Sequence, residues 1–207
     1  MDQPQSFVRG GDNAHRIARI REFASEYSPD IPHDEQVKKN ALQIFDQLTS
    51  IHGLGDQCRF VLEAGSLLHD IGWSQGVSAH HKSGSRLVMQ DRSLPISDYE
   101  RLFISLLVRY HRKAHPSLDH RDYSRLHPPE RERVRVLASI IRIADGLDRT
   151  HQSLVDHITI STNQNQVTFQ CKGRREGKPE VEYAMKKSDL FSHVFGVEVA
   201  IKWNVIV

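Results

Sequence analysis

The chain has 207 residues, and its 28 lysines and arginines nearly balance 26 aspartates and glutamates, which leaves a formal net charge of +2. That length suits one well-filled core, or one core with a small annex, and the balance of charge gives no reason to expect a nucleic-acid partner. Because Cys58 and Cys171 match no metal or redox spacing, and no apolar run approaches the roughly 18 residues of a membrane span, we expect a cytoplasmic protein without a membrane partner.

The chain opens with a polar terminus and two predicted helices. Residues 1–13 carry no apolar period, so we expect them to be flexible. Apolar spacing then predicts a helix over 14–27, which Pro29 stops, and a second helix that begins after the cap residue Asp30. His33 lies one turn before the apolar stripe of the second helix, where a hydrogen-bonded core histidine and a metal ligand are both open. The stripe comprises Val37, Ala41, Ile44, Phe45, Leu48 and Ile51.

The stretch LEAGSLLHDIG, residues 62–72, organises the rest of the interpretation. His69 and Asp70 stand side by side at the end of an apolar helix, immediately before the helix-ending Gly72. An ionised carboxylate that leucines carry into the interior costs several kcal/mol unless it is paired or coordinated. A mixed nitrogen and oxygen donor pair suits a divalent first-row metal. We therefore interpret His69 and Asp70 as metal ligands.

Two further histidines fall on the next two predicted helices. His81 lies on the apolar face of its helix, whereas we expect the neighbouring His80 to be solvated. His111 lies on the apolar side of the following helix, among three cations. These are Arg109, Arg112 and Lys113. The three cations either bind a ligand or form a solvated basic helix end that complements the helix dipole.

A long loop and a strongly periodic helix come next. The loop, residues 114–128, has no apolar period and is either a binding loop or a disordered segment. In the helix that follows, Asp145 lies at the edge of the apolar stripe, so its carboxylate needs a partner. An ion pair with Arg142 or Arg149 and ligation of a metal are both open at this point.

The C-terminal part of the chain changes from helical to strand periodicity. Alternating apolar residues predict a hairpin, then a helix over 180–195 closed by Gly196, and a last strand that starts at Val197. The predicted fold is therefore mainly α: a helical domain over 14–153, followed by a small α+β annex over 154–207 that consists of hairpin, helix and strand.

Six side chains from successive predicted helices share one property, because each lies at or near the buried face of its own helix. A helical bundle that points such groups inward commonly builds a metal centre from facing helices. The candidate ligands are His33, His69, Asp70, His81, His111 and Asp145.

The order H…HD…D resembles the HD superfamily of metal-dependent phosphohydrolases, which are helical bundles. Its four positions here are His33, His69, Asp70 and Asp145. His81 and His111 resemble the additional ligands of the binuclear members. The flanking motifs narrow the resemblance to the C-terminal HD module of the exopolyphosphatase and guanosine pentaphosphate phosphohydrolase family. They are HDIG (69–72), HHK (80–82), VRYHRK (108–113) and IADGLDRTH (143–151).

This resemblance implies an enzyme, a metal-dependent phosphohydrolase with one or two divalent ions. The first ion would be held by His33, His69, Asp70 and Asp145, and the second by His81 and His111 with Asp70 as the bridge. Manganese, iron, cobalt, nickel, zinc and magnesium all accept such donors, and an activated water would attack phosphorus. Asp70 would take part in catalysis, with His115 or His151 as the acid for the leaving group. The candidate cations for the substrate phosphates are Lys82, Arg109, Arg112 and Arg149.

Two departures limit what the resemblance carries over. The family's polyphosphate hydrolysis is ascribed to an actin-like N-terminal domain that these 207 residues do not contain, so that activity is not transferred. Ser83 also stands where many relatives have a second histidine.

Three functions therefore stay open. The favoured one is hydrolysis of a nucleotide, a guanosine polyphosphate or polyphosphate, because every expected type of ligand is present. The second is a regulatory module that binds polyphosphate or an alarmone without turnover. The third is a scaffold whose histidines are hydrogen-bonded core residues. The expected partner is a phosphorylated small molecule or polyphosphate, and a homodimer is possible.

Overall fold

The computed structural model describes residues 13–76 and 78–206, so the predicted flexible terminus lies, apart from its last residue, outside the described residues. The helices are α1 (Asn13–Tyr27), α2 (Ile31–Gln47), α3 (Thr49–His52), α4 (Asp56–Leu67), a 3₁₀-helix (Ile71–Gln75), α5 (His80–Gln90), α6 (Asp98–Tyr110), α7 (Arg121–Ser124), α8 (Pro128–Gly146), α9 (Lys178–Lys187) and α10 (Asp189–Phe195). The strands are β1 (His157–Thr162), β2 (Gln166–Gly173) and β3 (Glu198–Val205). The mainly α fold class with a small C-terminal sheet is confirmed.

The helix that carries the first candidate ligand begins as its sequence predicts. The side chain of Asp30 accepts a hydrogen bond from the backbone N–H of His33, and Pro32 occupies the first turn, where no N–H is needed. The end of this helix differs from the prediction. Because α2 ends at Gln47, Ile51 belongs to the short helix α3 and is 47 % exposed instead of continuing the buried stripe.

Two other predicted segments are subdivided. The loop over 114–128 contains the one-turn helix α7. The single helix predicted over 180–195 is broken at Ser188, whose backbone N–H and hydroxyl both donate to the carbonyl oxygen of Met185, at 3.2 and 2.8 Å. These short-range bonds tighten the last turn of α9 and let α10 start in a new direction.

The three strands form one sheet in the order β1-β2-β3. The hairpin pairs β1 and β2 antiparallel, with Ile158 opposite Cys171, and β3 pairs with β2 in parallel, with Ile201 opposite Phe169. A parallel neighbour requires a crossover connection, and α9 with α10 supply it.

Glutamines of α2 cover the outer edge of β1. The amide oxygen of Gln43 accepts from the backbone N–H of Ile158 at 2.9 Å. Gln47 donates to the carbonyl oxygen of Ile158 at 2.8 Å and accepts from the N–H of Ile160 at 2.9 Å. The edge strand thus has hydrogen-bond partners from a helix where another strand would pair.

The helical domain and the annex share one apolar core. A single cluster of buried side chains extends from Ile20 in α1 to Phe169 in β2. Helix α9 packs against the end of α8 at Gly146, where an added Cβ would lie 2.6 Å from the Cα of Ala184. A glycine is required for this approach. Among the described residues, no helix has both the length and the apolar character that crossing a bilayer demands.

Candidate metal centre

Three of the predicted ligands, His33, His69 and Asp70, form one donor set in the interior, where α2 and the turn after α4 come together. A fourth, Asp145 at the end of α8, lies beside His33 and outside this set. The Nε2 atoms of His33 and His69 lie 3.3 Å apart. One carboxylate oxygen of Asp145 lies 3.7 Å from His33 Nε2, and Oδ2 of Asp70 lies 3.7 Å from His69 Nε2. His33 and His69 are buried, whereas the carboxylates keep a small exposed fraction. The solvent contact of these four side chains is therefore mainly through the two carboxylates.

A second group shares Asp70. Its other oxygen, Oδ1, lies 3.2 Å from Nε2 of His80 and 3.6 Å from Nε2 of His111. The first of these histidines begins α5 and the second follows the end of α6. In the part of the chain that the structure describes, two sets of donors could therefore hold a cation. They are His33, His69 and Asp70, and Asp70, His80 and His111.

Three of the histidines direct Nδ1 at a fixed acceptor. The pairs are His33 with Oδ2 of Asp148 (2.8 Å), His69 with the carbonyl oxygen of Ser66 (2.8 Å), and His111 with the carbonyl oxygen of Val108 (2.7 Å). In a neutral imidazole this assigns the proton to Nδ1 and leaves a lone pair on Nε2. Metal-binding histidines are commonly held by such partners, which fix both ring orientation and tautomer.

The donor geometry fits a divalent ion. With both rings neutral, the lone pairs of His33 and His69 would face each other at 3.3 Å, which is unfavourable unless a proton or a cation lies between them. A metal bound at the usual nitrogen distance of about 2.0–2.1 Å places neighbouring ligand nitrogens about this far apart. A cation between the two rings would therefore convert the repulsion into attraction.

The protonation states suit the same conclusion. Burial lowers the pKa of His69, and burial together with His69 lowers that of His111, so both rings are neutral at pH 7. Burial alone would raise the pKa of Asp70 and Asp145. The surrounding histidines outweigh it at Asp70, and the Lys187 ammonium outweighs it at Asp145, so both pKa values lie well below the usual range. The pKa of His33 is raised instead, because burial is outweighed by its hydrogen bond with Asp148 and by the nearby carboxylates, so metal binding at this ring would displace a proton. The centre thus combines two neutral imidazoles and one more basic imidazole with ionised carboxylates.

His80 is not solvated, contrary to the expectation from its helical position. It is 2 % exposed, and its ring stacks on Trp73 at a centroid distance of 4.8 Å. The reason is the backbone of Gly72, which packs so tightly on the first turn of α5 that a Cβ there would overlap the carbonyl oxygen of His80. This contact brings the start of α5 against Asp70.

His81 lies on the same turn but in neither candidate donor set of the described residues. Its ring centroid is 6.5 Å from that of His111, and burial, with the cations around it, lowers its pKa to about 4. Its role as a ligand stays a prediction.

Of the two candidate acids, His151 lies next to the centre. Its ring stacks on His33 at a centroid distance of 3.9 Å, and its Nδ1 lies 2.9 Å from a carboxylate oxygen of Asp30. His115 instead pairs with Asp189 of α10 at 2.8 Å. The structure thus joins only His151 directly to a candidate ligand.

The four predicted substrate cations occupy different surroundings. Arg112 donates to Nε2 of His80 at 3.0 Å. Arg149 is exposed and lies 4.5 Å from the ring centroid of Tyr183 in α9. Arg109 is half-buried, with its guanidinium 5.9 Å from the ring of the adjacent Tyr110, and Lys82 is exposed.

The ion-pair partner of Asp145 is neither of the two arginines, Arg142 and Arg149, that helical spacing suggested. It is Lys187, at the end of α9, which hydrogen-bonds Oδ2. Arg142 pairs with Asp189 at 3.2 Å instead, because α10 lies across this part of α8. Helical spacing within α8 could not disclose a partner that comes from the annex.

Sequence reasoning also missed two buried carboxylates. Asp148 has no exposed surface and holds His33, and its only signal was its place three residues after Asp145 in the motif at 143–151. Asp34, next to His33, lies with Oδ1 3.4 Å from Nδ1 of His69. Burial raises the pKa of Asp34 to about 8.

Comparison with known proteins places these residues in a family context. A sequence model described as Ppx/GppA phosphatase, domain III, matches residues 16–179. The match spans well over half of the chain and includes all six predicted ligands, but it ends before Lys187. No curated protein matches the chain.

Proposed function

This chain belongs to the Ppx/GppA phosphatase domain III family, and on that premise we propose that it is a metal-dependent phosphohydrolase. The substrate would be a phosphate ester or anhydride: a nucleotide, a guanosine polyphosphate or inorganic polyphosphate. The observation that carries the proposal is the donor set of His33, His69 and Asp70, with Asp145 3.7 Å from His33 and with Nδ1 of each of the two histidines already committed to an acceptor.

The candidate ligands divide into two groups, one for each of two ions. His33, His69, Asp70 and Asp145 would hold the first. His80 and His111 would hold the second together with Asp70, whose two oxygens face the two groups separately. We thus propose His80 for a position that the sequence gave to His81. A divalent metal such as manganese, iron or zinc would supply positive charge for the phosphoryl group and a hydrolytic water of lowered pKa.

The other residues bind the substrate and move its proton. Arg112 is the cation best placed to bind a phosphate oxygen, because its guanidinium lies 3.0 Å from Nε2 of His80 and would turn from this nitrogen to the phosphate once His80 binds the metal. Lys82, Arg109 and Arg149 would hold more distant phosphates. His151 would protonate the leaving group, with Asp30 orienting its ring.

Two measurements on the purified protein test this proposal. Metal analysis without added ions should find at least one transition metal for each chain, and Asp70→Asn should lose it. Phosphate release from a panel of nucleotides and polyphosphates should be abolished in His69→Ala. Asp46→Asn is the matched control, because its carboxylate pairs with Arg59 on the surface. A wild-type protein without metal and without phosphate release would overturn the proposal.

A second candidate function has its own support. The matched family model describes one domain of a phosphatase, and such a domain can recognise a substrate that another domain cleaves. In this case the same centre would bind polyphosphate or a guanosine polyphosphate without turnover. Tight binding by the wild-type protein, with no phosphate released, would favour this function. The cytoplasmic location, the homodimer and the lack of nucleic-acid and membrane partners remain proposals from the sequence.

A further inference from the structure

Lys187, the last residue of α9, connects the annex to the candidate metal centre. Its ammonium group donates to Oδ2 of Asp145, while Oδ1 of the same carboxylate lies 3.7 Å from Nε2 of His33. The side chain is only 13 % exposed. One carboxylate therefore joins the ammonium group to the candidate ligands through its two oxygens.

The packing of α9 on α8 determines this position. Gly146 follows Asp145 directly, and its missing side chain admits the backbone of Ala184. Lys187 lies three residues after Ala184, on the same face of α9. The ring centroid of Tyr183 lies 5.3 Å from the Lys187 ammonium and supports it from the side. The lysine is thus fixed by the fold at the edge of the centre.

The surroundings of the ammonium group point to a second anion. The ammonium group lies next to Asp145, whose other oxygen is 3.7 Å from Nε2 of His33. A lysine ammonium carries three N–H donors, and Asp145 accepts from it with a single oxygen. A divalent ion bound to Asp145 would compete with Lys187 for the negative charge of this carboxylate. Because the Lys187 ammonium is mostly buried, a further negative partner would then stabilise it. An oxyanion held beside the ion would provide both the charge and the acceptors.

We propose that Lys187 is a substrate-contacting residue supplied by the annex: its ammonium group binds an oxygen of the phosphoryl group at the centre while Asp145 holds it in place. This inference rests on the proposed function, since it assumes that the centre receives a phosphate group. It adds a residue that lies beyond the segment matched by the family model.

The test compares Lys187→Met with Lys186→Met, which removes the neighbouring exposed lysine of the same helix. Each protein is loaded with manganese, its metal content is measured, and its affinity for inorganic phosphate is determined by calorimetry. We expect Lys187→Met to keep its metal and to bind phosphate at least about tenfold more weakly, because a charge-assisted hydrogen bond is lost. Lys186→Met should match the wild type, and Lys187→Arg, which keeps the charge, should recover part of the affinity.

The outcomes separate this inference from the proposed function. A wild-type protein that binds neither metal nor phosphate overturns both. A metal-loaded Lys187→Met protein with unchanged phosphate affinity overturns the inference alone. A rise in metal affinity without a loss of phosphate binding would also overturn it, since Lys187 would then only occupy the place of a cation.

Circular dichroism of the variants verifies that each is folded. If Lys187→Met is unfolded, Lys187→Gln takes its place, and unchanged phosphate affinity in that folded and metal-loaded variant would overturn the inference.

Discussion

At the scale of single residues, the hydrogen bond between Asp148 and His33 gives the sharpest expectation. The carboxylate of Asp148 is fully buried. One of its oxygens accepts from Nδ1–H of His33, and the other accepts from the backbone N–H of Ser153. We expect Asp148→Asn to weaken manganese binding by about 10–100-fold, because loss of such an outer partner leaves the ligand ring free to turn. Calorimetric titration with the metal measures the change.

Asp46→Asn serves as the control for this variant, since it removes the same charge from a surface ion pair with Arg59. It should leave manganese affinity unaltered. Equal affinities in the wild type and Asp148→Asn would show that another contact orients His33.

The residues of the site differ in how far the sequence could predict them. His69 and Asp70 could be proposed from the sequence because a buried histidine and carboxylate need a cation. His33 and Asp145 could be proposed because helical spacing places them on buried faces. His80 could not, since its position depends on the contact between Gly72 and the start of α5. Lys187 could not be predicted either, because it contacts Asp145 from an element 42 residues further along the chain.

At the scale of elements, the contact between α8 and α9 positions Lys187, and Gly146→Ala tests it. The new Cβ would lie 2.6 Å from the Cα of Ala184, so α9 has to move away. We expect a loss of about 1–3 kcal/mol in the free energy of unfolding, as for other overpacked cores. We also expect weaker phosphate binding with the metal retained. Urea denaturation and calorimetry measure the two effects.

Gly55→Ala is the companion variant, because an added Cβ at Gly55 meets nothing within 4 Å. Its unfolding free energy should change by less than about 1 kcal/mol. If Gly146→Ala were equally mild and bound phosphate normally, the position of Lys187 would not depend on this helix contact.

Element boundaries were predictable where the sequence contains a cap. Asp30 begins α2 as expected, and Ser97 begins α6, where it forms a reciprocal pair with Glu100. The break at Ser188 has no proline or glycine to mark it, and it arises from hydrogen bonds back to Met185. The parallel pairing of β3 was likewise hidden, since apolar alternation gives a strand but not its neighbour.

At the scale of the whole molecule, the shared core predicts that the annex is needed for folding. Val155, Ile158 and Phe169 belong to the same apolar cluster as the helices, and the buried carboxylate of Glu180 accepts from the backbone N–H of Thr150 at 3.1 Å. A chain that ends at residue 153 would expose apolar surface on α2 and α8. We expect it to lose the cooperative thermal transition of the full chain in differential scanning calorimetry. A truncated chain that melts as sharply and as high as the full one would show that the helices fold alone.

The glutamine contacts of α2 have a consequence for how copies of this protein meet in a crowded cell. An unpaired strand edge invites recruitment of a foreign strand, and from there runaway stacking into fibrils. A strand from another molecule could pair with β1 only after the three hydrogen bonds of the Gln43 and Gln47 side chains to this strand are broken. Side chains of a packed helix therefore occupy the hydrogen-bonding groups of this edge strand. The stability of the helical domain thus opposes aggregation through β1.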